Sequence, residues 1–439
     1  MSLNHKPKPK LIFGQKPTIV MAVWQNLLSW FVKLVAPSML PRLLPTCAQE
    51  DTDASTTTTS SSRTRCISIG RPGGVEQLRV ISLKPDIVTC GYNVPGQDLP
   101  FTKPIRSDKD IPSNCVVIRN EAFSVNYADC CIRWGLYESA HEYVGYPIVP
   151  GFDVAGVVER VGSKVKDLKV GDRVFGCTFF GAYSSRILIP AAQLRTIPAN
   201  LSTLQAAALP AVTLTALYAL FLAGHFPTPS KFRHKGILIH SAAGGVGSML
   251  VQLSKLLGLS PIVGVVGRTN KVDVAKALGC DVVIDKSQED LWSAARAAAP
   301  QGYSCVMDSN GIATMEQSYE HLAMTGRLIV YGFHTNLPMG NDMLSPLEWI
   351  RMSFKQKKMP KFNPMDMGTE NKGVLAFNLS FFAEEQDMLA DFFGMVLEWL
   401  GDGKLDCPRI TEFNGLDSIA QAHDLIQSGK SVGKLIVKV

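Results

Sequence analysis

The run Ile237-Leu238-Ile239-His240-Ser241-Ala242-Ala243-Gly244-Gly245-Val246-Gly247-Ser248-Met249-Leu250 constrains this chain more than any other stretch. Apolar residues lead into a turn crowded with glycine and alanine, and an apolar, helix-periodic segment follows. The pattern is that of a strand ending in a phosphate-binding turn that opens a helix. Gly244 lets the backbone approach a pyrophosphate, Gly247 lets helix and strand pack closely, and free N–H groups of the first helical turn hold the anion. Ala242 stands where the G-x-G-x-x-G pattern has its first glycine. Glycine-rich turns also occur where nothing binds, so the surrounding chain has to decide.

Downstream, short apolar runs alternate with helical ones. Strands are expected at 237–240, 261–266, 282–285, 305–308 and 327–333, with helices at 248–257 and 271–278 between the first three and a further strand at 373–382. Strands separated by helices of this length make a parallel sheet with right-handed crossovers. Upstream, residues 75–200 read as short strands at 116–122, 153–162 and 167–176, broken by Gly and Pro, which suits an all-β barrel-like unit. Between the two, 204–224 has helical period interrupted at Pro210. The fold class is therefore α/β: a doubly wound parallel sheet of Rossmann type beside a β-barrel.

The formal charge of +6 is carried by the N-terminal extension. Lys6, Lys8, Lys10, Lys16, Lys33 and Arg42 precede the first acid, Glu50, and the rest of the chain is balanced. No basic face for nucleic acid is implied. Within the extension, 18–35 reads as an amphipathic helix with Trp24, Trp30 and Phe31 on its apolar side. An interfacial membrane anchor, a targeting segment (a secretory signal cleaved near Ala48 included), a helix that packs on the protein, and a start at Met21 all remain open. Residues 50–64 are a polar linker. The ten cysteines show no C-x-x-C pair, so free thiols in a reducing compartment, cytoplasmic or organellar, are expected.

Dinucleotide proteins that use NAD read the adenosine ribose with an acid at the end of the second strand. Here that strand ends in Gly267-Arg268-Thr269-Asn270-Lys271, with no acid. Arg268 and Lys271 suit a 2′-phosphate, which points to NADPH, against the plainer alternative of solvated turn charges.

The chain resembles the medium-chain dehydrogenase/reductase superfamily, in its zinc-free quinone oxidoreductase or zeta-crystallin branch. The resemblance rests on Asn126-Tyr127-Ala128-Asp129, Arg133-Trp134-Gly135-Leu136-Tyr137, Pro150-Gly151-Phe152-Asp153-Val154-Ala155-Gly156, Val170-Gly171-Asp172-Arg173-Val174, Ala206-Ala207-Ala208-Leu209-Pro210, the glycine turn, Gly326-Arg327 with Tyr331-Gly332, and Val432-Gly433-Lys434. On its C-terminal third it is most similar to the vesicle amine transport protein-like subgroup. The resemblance implies a GroES-like catalytic domain split between 66–204 and 382–439, with the Rossmann domain at 205–381, an insertion at 336–372 and the active site between the domains.

It also implies site residues. Zinc-dependent members place Cys, His and Cys where Asn126, Phe152 and Ala211 stand, and none of these three can ligate a metal. The nearby Cys130, Cys131 and His141 are not expected to form a replacement set. Without a Lewis acid the suited chemistry is hydride addition to a quinone or an α,β-unsaturated carbonyl. Asn126 and Tyr127 are implied to contact substrate or nicotinamide, with Tyr127 a candidate proton donor and Asp129 orienting its neighbours. Cofactor contacts are implied at Thr215, Gly244, Gly245, Val246, Gly247, Tyr331, Phe333 and Asn378, with Lys434 reaching the 2′-phosphate. A homodimer through the strand near 373–382 is implied as well. The insertion, with Met339, Met343, Met352, Met359, Met365 and Met367, suits a lid, a membrane-contacting flap or a loose excursion. The alternative to an enzyme is a membrane-surface or vesicle-associated nucleotide-binding protein with little catalysis.

Overall fold

The structure is a computed structural model that describes residues 63–91, 102–227, 236–337, 345–382 and 385–439. The amphipathic segment 18–35, most of the linker at 50–64, and Met339 and Met343 lie outside the described residues.

Six strands form one parallel sheet, in the spatial order Val282–Asp285, Ile262–Val266, Ile237–Ile239, Tyr303–Asp308, Leu322–Val330 and Gly373–Ala376. Numbered along the chain, that order is 3-2-1-4-5-6, the doubly wound arrangement whose ligand crevice opens where the order reverses. The reversal lies between Ile237–Ile239 and Tyr303–Asp308, which pair directly. The fifth strand starts earlier than expected, because Leu322 and Ala323 are buried. It ends at Val330, where the chain turns out and the Tyr331 N–H reaches the Asp308 carbonyl at 3.0 Å. The sixth strand stops at Ala376, and Asn378 caps the short 3-10 turn Leu379–Phe381 that follows. Gly373–Ala376 is the sheet edge.

The other large sheet is mostly antiparallel. Its long strand Cys115–Val125 pairs with Asp153–Val161 along one side. Along the other side it pairs first with Arg186–Pro190 and then with the C-terminal strand Lys434–Lys438. The end of the chain thus completes a sheet begun three hundred residues earlier. The Asn120 side chain fills a register break, donating to the Ala182 and Ser184 carbonyls at 2.9 Å and accepting from the Ala155 N–H at 3.2 Å. Opposite it a β-carbon on Gly156 would lie 2.0 Å from the Arg119 carbonyl oxygen, so only glycine admits the strands this close.

Pro210–Ala223 is buried on nearly all sides, which its continuous apolar sequence allows. It packs against Gly245–Leu256 and against Gln386–Gly401, whose Phe392, Phe393, Val396 and Leu400 share its core. Among the described residues the insertion holds two helices, Pro346–Gln356 and Pro364–Glu370.

Candidate active site

The glycine turn behaves as its composition demands. Ser241 takes a left-handed backbone (φ 55°), and Gly244, extended, caps the helix Gly245–Leu256 without a side-chain bond. The first-turn N–H groups of Gly245, Val246 and Gly247 have no partner within the helix. A β-carbon at Gly247 would lie 2.2 Å from the Ser241 carbonyl oxygen, so the close approach of helix to strand requires glycine. Across the reversal point the Ser309 hydroxyl meets that of Ser241 at 3.3 Å. The 308–311 turn is held by the Asp308 carboxylate, which accepts from Asn310 N, Gly311 N, Thr314 Oγ1 and Ser318 Oγ at 2.7–3.0 Å.

At the far side of this crevice, Gly267, Arg268, Thr269, Asn270, Ser287 and Lys430 line an open cavity of about 500 Å³. Thr269 and Ser287 are fixed by the Asp285 carboxylate at 2.7 and 2.6 Å, and these bonds hold that carboxyl below its ordinary range. Lys271 does not join Arg268 here. Its ammonium is spent on the Gly429 and Ser431 carbonyls at 2.9 and 2.7 Å, and burial lowers its pKa, with the Arg268 charge adding to the shift. That tie brings the 429–431 loop to the cavity, so that Lys430 lines it with Arg268.

The opposite end of the crevice is built from side chains. Asn126 caps the helix Tyr127–Arg133. Its amide oxygen accepts from Lys434 Nζ at 2.7 Å, and its amide nitrogen donates to Asp153 Oδ2 at 2.9 Å and to Ser124 Oγ at 3.3 Å. Asp153, fully buried at the head of its strand, also accepts from the Ser124 hydroxyl and, at 2.6 Å, from the Ala211 N–H. Ala211 lies in the first turn of Pro210–Ala223, where a carboxylate is favoured by the helix dipole. Lys434 completes the group, 3.4 Å from Asp153 Oδ2 and only 3% exposed. Its expected role at the 2′-phosphate is therefore corrected: Lys434 is buried against Asn126 and Asp153. Its backbone neighbour Gly433 donates to the Ala243 carbonyl at 2.8 Å, which stitches this cluster to the glycine turn.

Tyr127 follows Asn126 and packs edge-on against Trp134 and His334, with ring centroids 6.0 and 5.8 Å apart. Burial raises its phenol well above the ordinary range, so the hydroxyl stays protonated. It makes no hydrogen bond among the described residues. Asp129 is fully buried. It accepts from Asn126 N at 2.8 Å, Gly151 N at 3.0 Å and Tyr183 Oη at 2.9 Å, bonds that hold the start of the helix to the 151 turn. Burial pushes its carboxyl up to about 7, against the pull of the Asn126 N–H and the Tyr183 hydroxyl. Tyr183 also meets His423 Nε2 at 3.2 Å, and burial, then the Arg133 charge, lowers His423 to about 3.

Among the remaining expected contacts, Thr215 lies one turn along the helix from Ala211 and bonds its carbonyl at 2.6 Å. Tyr331 is half-buried at the strand end, and Phe333 is 44% exposed beside His334. The Asn378 amide oxygen accepts from the Tyr137 hydroxyl at 3.1 Å and from the Ser380 N–H at 3.0 Å. Asp153, Ser124 and Lys430 had no place in the expected site.

Comparison with known proteins agrees with this frame. Residues 112–199 match the alcohol dehydrogenase GroES-like domain, and 245–363 match the family described as zinc-binding dehydrogenase. A tomato 2-methylene-furan-3-one reductase is 31% identical over 283 residues, covering 61% of this chain and 69% of that protein. The chain belongs to the medium-chain dehydrogenase/reductase superfamily, in its quinone oxidoreductase branch. Within the superfamily it is also similar to the zebrafish synaptic vesicle membrane protein VAT-1 homolog, 27% identical over 80% of this chain and 69% of that protein. The Escherichia coli quinone oxidoreductase solved with NADPH superimposes with a TM-score of 0.66 at 25% identity, over 86% of this chain and all of that one.

At the three positions that the resemblance aligns with the metal ligands of zinc-dependent members, the side chains present make other contacts. Asn126 is bound up with Lys434 and Asp153, Phe152 packs on Tyr137 and Phe180, and Ala211 offers its backbone N–H to Asp153. Cys130 meets His423 Nδ1 at 3.4 Å, whereas His141 bonds the Gly135 carbonyl at 2.9 Å, so those two belong to separate contacts. Among the described residues no helix is long and apolar enough to cross a membrane.

Proposed function

We propose that this oxidoreductase is an NADPH-dependent, zinc-independent reductase of quinones or α,β-unsaturated carbonyls. The observation that carries the proposal is the junction at Gly433–Lys434, which joins the glycine turn directly to the Asn126 cluster. The residues present fit the cofactor: at Gly244 only the Ser241 carbonyl oxygen, at 3.2 Å, stands near the place of a β-carbon, which leaves room for a pyrophosphate at the first-turn N–H groups, and Arg268 with Lys430 supplies cations for a 2′-phosphate. The partition into 66–204 with 382–439 against 205–381 is part of this proposal, as is a homodimer through the edge strand Gly373–Ala376.

Bound NADPH supplies a hydride, and negative charge develops on the oxygen of the acceptor. Tyr127, protonated and without a hydrogen bond among the described residues, is the donor suited to that oxygen. Asn126, held by Lys434 and Asp153, would stand beside the nicotinamide end, near the buried Phe152–Phe180 pair. A hydrogen-bond donor suffices for acceptors as electrophilic as enones and quinones. NADPH and NADH oxidation should be followed against quinones, enals and enoyl thioesters. Oxidation of NADPH by one of these classes is expected, and activity with NADH alone would overturn the assignment of Arg268 and Lys430.

A second reading, a membrane-surface protein, draws on the helix Pro346–Gln356. Leu347, Ile350 and Phe354 are each more than half exposed on it at helical spacing, and Arg351, Lys355, Lys357 and Lys358 stand around them. Flotation with anionic and neutral vesicles, with and without residues 1–64, separates this surface from the extension. Binding that survives the truncation assigns it to the helix, and no binding by either form removes the reading.

A further inference from the structure

Asn126 has a donor face and an acceptor face, and its neighbours leave only one of them free. Both amide hydrogens are engaged, one by Asp153 Oδ2 at 2.9 Å and one by Ser124 Oγ at 3.3 Å. The amide oxygen takes one bond, from Lys434 Nζ at 2.7 Å, and keeps a second lone pair. The opposite orientation would press the NH₂ against an ammonium and the oxygen against a carboxylate. A buried cation on one side and a buried anion on the other therefore fix the amide in one sense. Ser124 supports that sense, since its hydroxyl donates to Asp153 and has only lone pairs left for Asn126.

Lys434 is also the side chain that joins this amide to the cofactor turn. Gly433 has a left-handed backbone (φ 63°), and a β-carbon there would lie 2.0 Å from the Arg409 carbonyl oxygen, so the chain enters the strand in one way. The Lys434 stem then crosses Gly245, where a β-carbon would meet Lys434 Cδ at 2.9 Å and Val212 Cγ1 at 2.9 Å. The ammonium arrives at Asn126 from the floor of the glycine turn.

We propose that Lys434 and Asp153 are positioning residues that set the polarity of the Asn126 amide, so that Asn126 presents an acceptor, never a donor, to the group bound beside the glycine turn. The ligand group it selects is an N–H or O–H donor. Resting on the proposed function, that group is the carboxamide NH₂ of a nicotinamide ring, and Asn126 is thereby excluded as the donor to the substrate carbonyl, a role left to Tyr127.

The test compares binding of NADP⁺ and its 3-acetylpyridine analogue, which replaces the carboxamide NH₂ by a methyl group, using calorimetric titration of the full-length protein. One hydrogen bond to the amide oxygen predicts that the wild type prefers NADP⁺ by about tenfold. The paired variant D153N/K434M removes both charges together and avoids leaving either one buried alone. Its melting transition and circular dichroism check that it folds, and its preference should fall to about twofold or less. Retained preference in a folded D153N/K434M, or a wild type that binds both nucleotides equally, overturns the inference and leaves the proposed function standing. A wild type that binds neither overturns both. If the paired variant fails to fold, K434M and S124A carry the same comparison, since each loosens one side of the amide.

Discussion

At the Arg268 end of the crevice the walls are exposed turn residues and the cations have no carboxylate partner among the described residues, whereas at the Asn126 end Lys434 and Asp153 are buried and paired. A 2′-phosphate meeting the first end brings its own counter-charge into water-accessible space, where salt screens the attraction. The second end has already met its charges within the protein, and what it offers a ligand is direction. The difference separates affinity from orientation: substitutions at the exposed end should change how much cofactor binds, and substitutions at the buried end should change how the reacting groups are held.

The largest effect is expected from breaking the buried end with one partner removed. Asp153→Ala leaves the Lys434 ammonium without its carboxylate and should destabilise the fold by about 3–5 kcal/mol, read as a fall in the denaturation midpoint. A cost under about 1 kcal/mol would mean that the pair is solvated and that the contrast between the two ends is false. Next comes Tyr127→Phe, which removes only a hydroxyl. A drop of about a hundredfold in kcat with little change in KM for NADPH is expected if that hydroxyl donates to the acceptor oxygen. An unchanged kcat takes Tyr127 out of the reaction.

The third effect concerns protons beneath the helix Tyr127–Arg133. Asp129 is raised to about 7 by burial and His423 is lowered to about 3 by burial and by Arg133, with Tyr183 bonded to both. Between about pH 4 and 6.5 the folded protein holds a proton on Asp129 and none on His423, and the unfolded chain holds one on His423 and none on Asp129. The two slopes cancel, so stability should be nearly flat across that window. His423→Gln should expose the Asp129 slope, a loss of about 1.4 kcal/mol for each pH unit of increase. Asp129→Asn should expose the opposite slope, with stability lost as pH falls from about 6.5. Parallel pH–stability curves for the two variants would contradict the balance. The smallest effect belongs to the exposed end. Arg268→Ala should raise KM for NADPH about tenfold at low salt, leave KM for NADH in place, and lose most of its effect near 0.5 M salt.

Much of the frame is written in local pattern. The parallel strands are apolar runs bounded by turn residues, and the glycine turn is recognisable because Gly247 meets a steric demand from a neighbour six residues away. The site is less legible where it depends on which way a side chain runs after the chain has folded back. Lys434 and Lys271 are both basic residues near strand or turn ends, and nothing local says that one is buried at Asn126 and the other ties down the 429–431 loop. That loop is what delivers Lys430, a residue with no distinguishing signal of its own. Asp153 did carry a signal: a carboxylate heading the apolar run Val154-Ala155-Gly156-Val157-Val158 has to find a cation or N–H groups once that strand is buried. The same reasoning applied to Ser124, inside another buried strand, would have pointed to the cluster.

The central claim is that the crevice carries out hydride reduction with NADPH, using buried hydrogen-bonding groups and no metal. It is tested most directly by following NADPH oxidation at 340 nm against an enone or quinone acceptor after exhaustive dialysis with a chelator. Turnover that is unchanged by chelation and faster with NADPH than with NADH is the expected result. Turnover that disappears on chelation and returns with added zinc would contradict it.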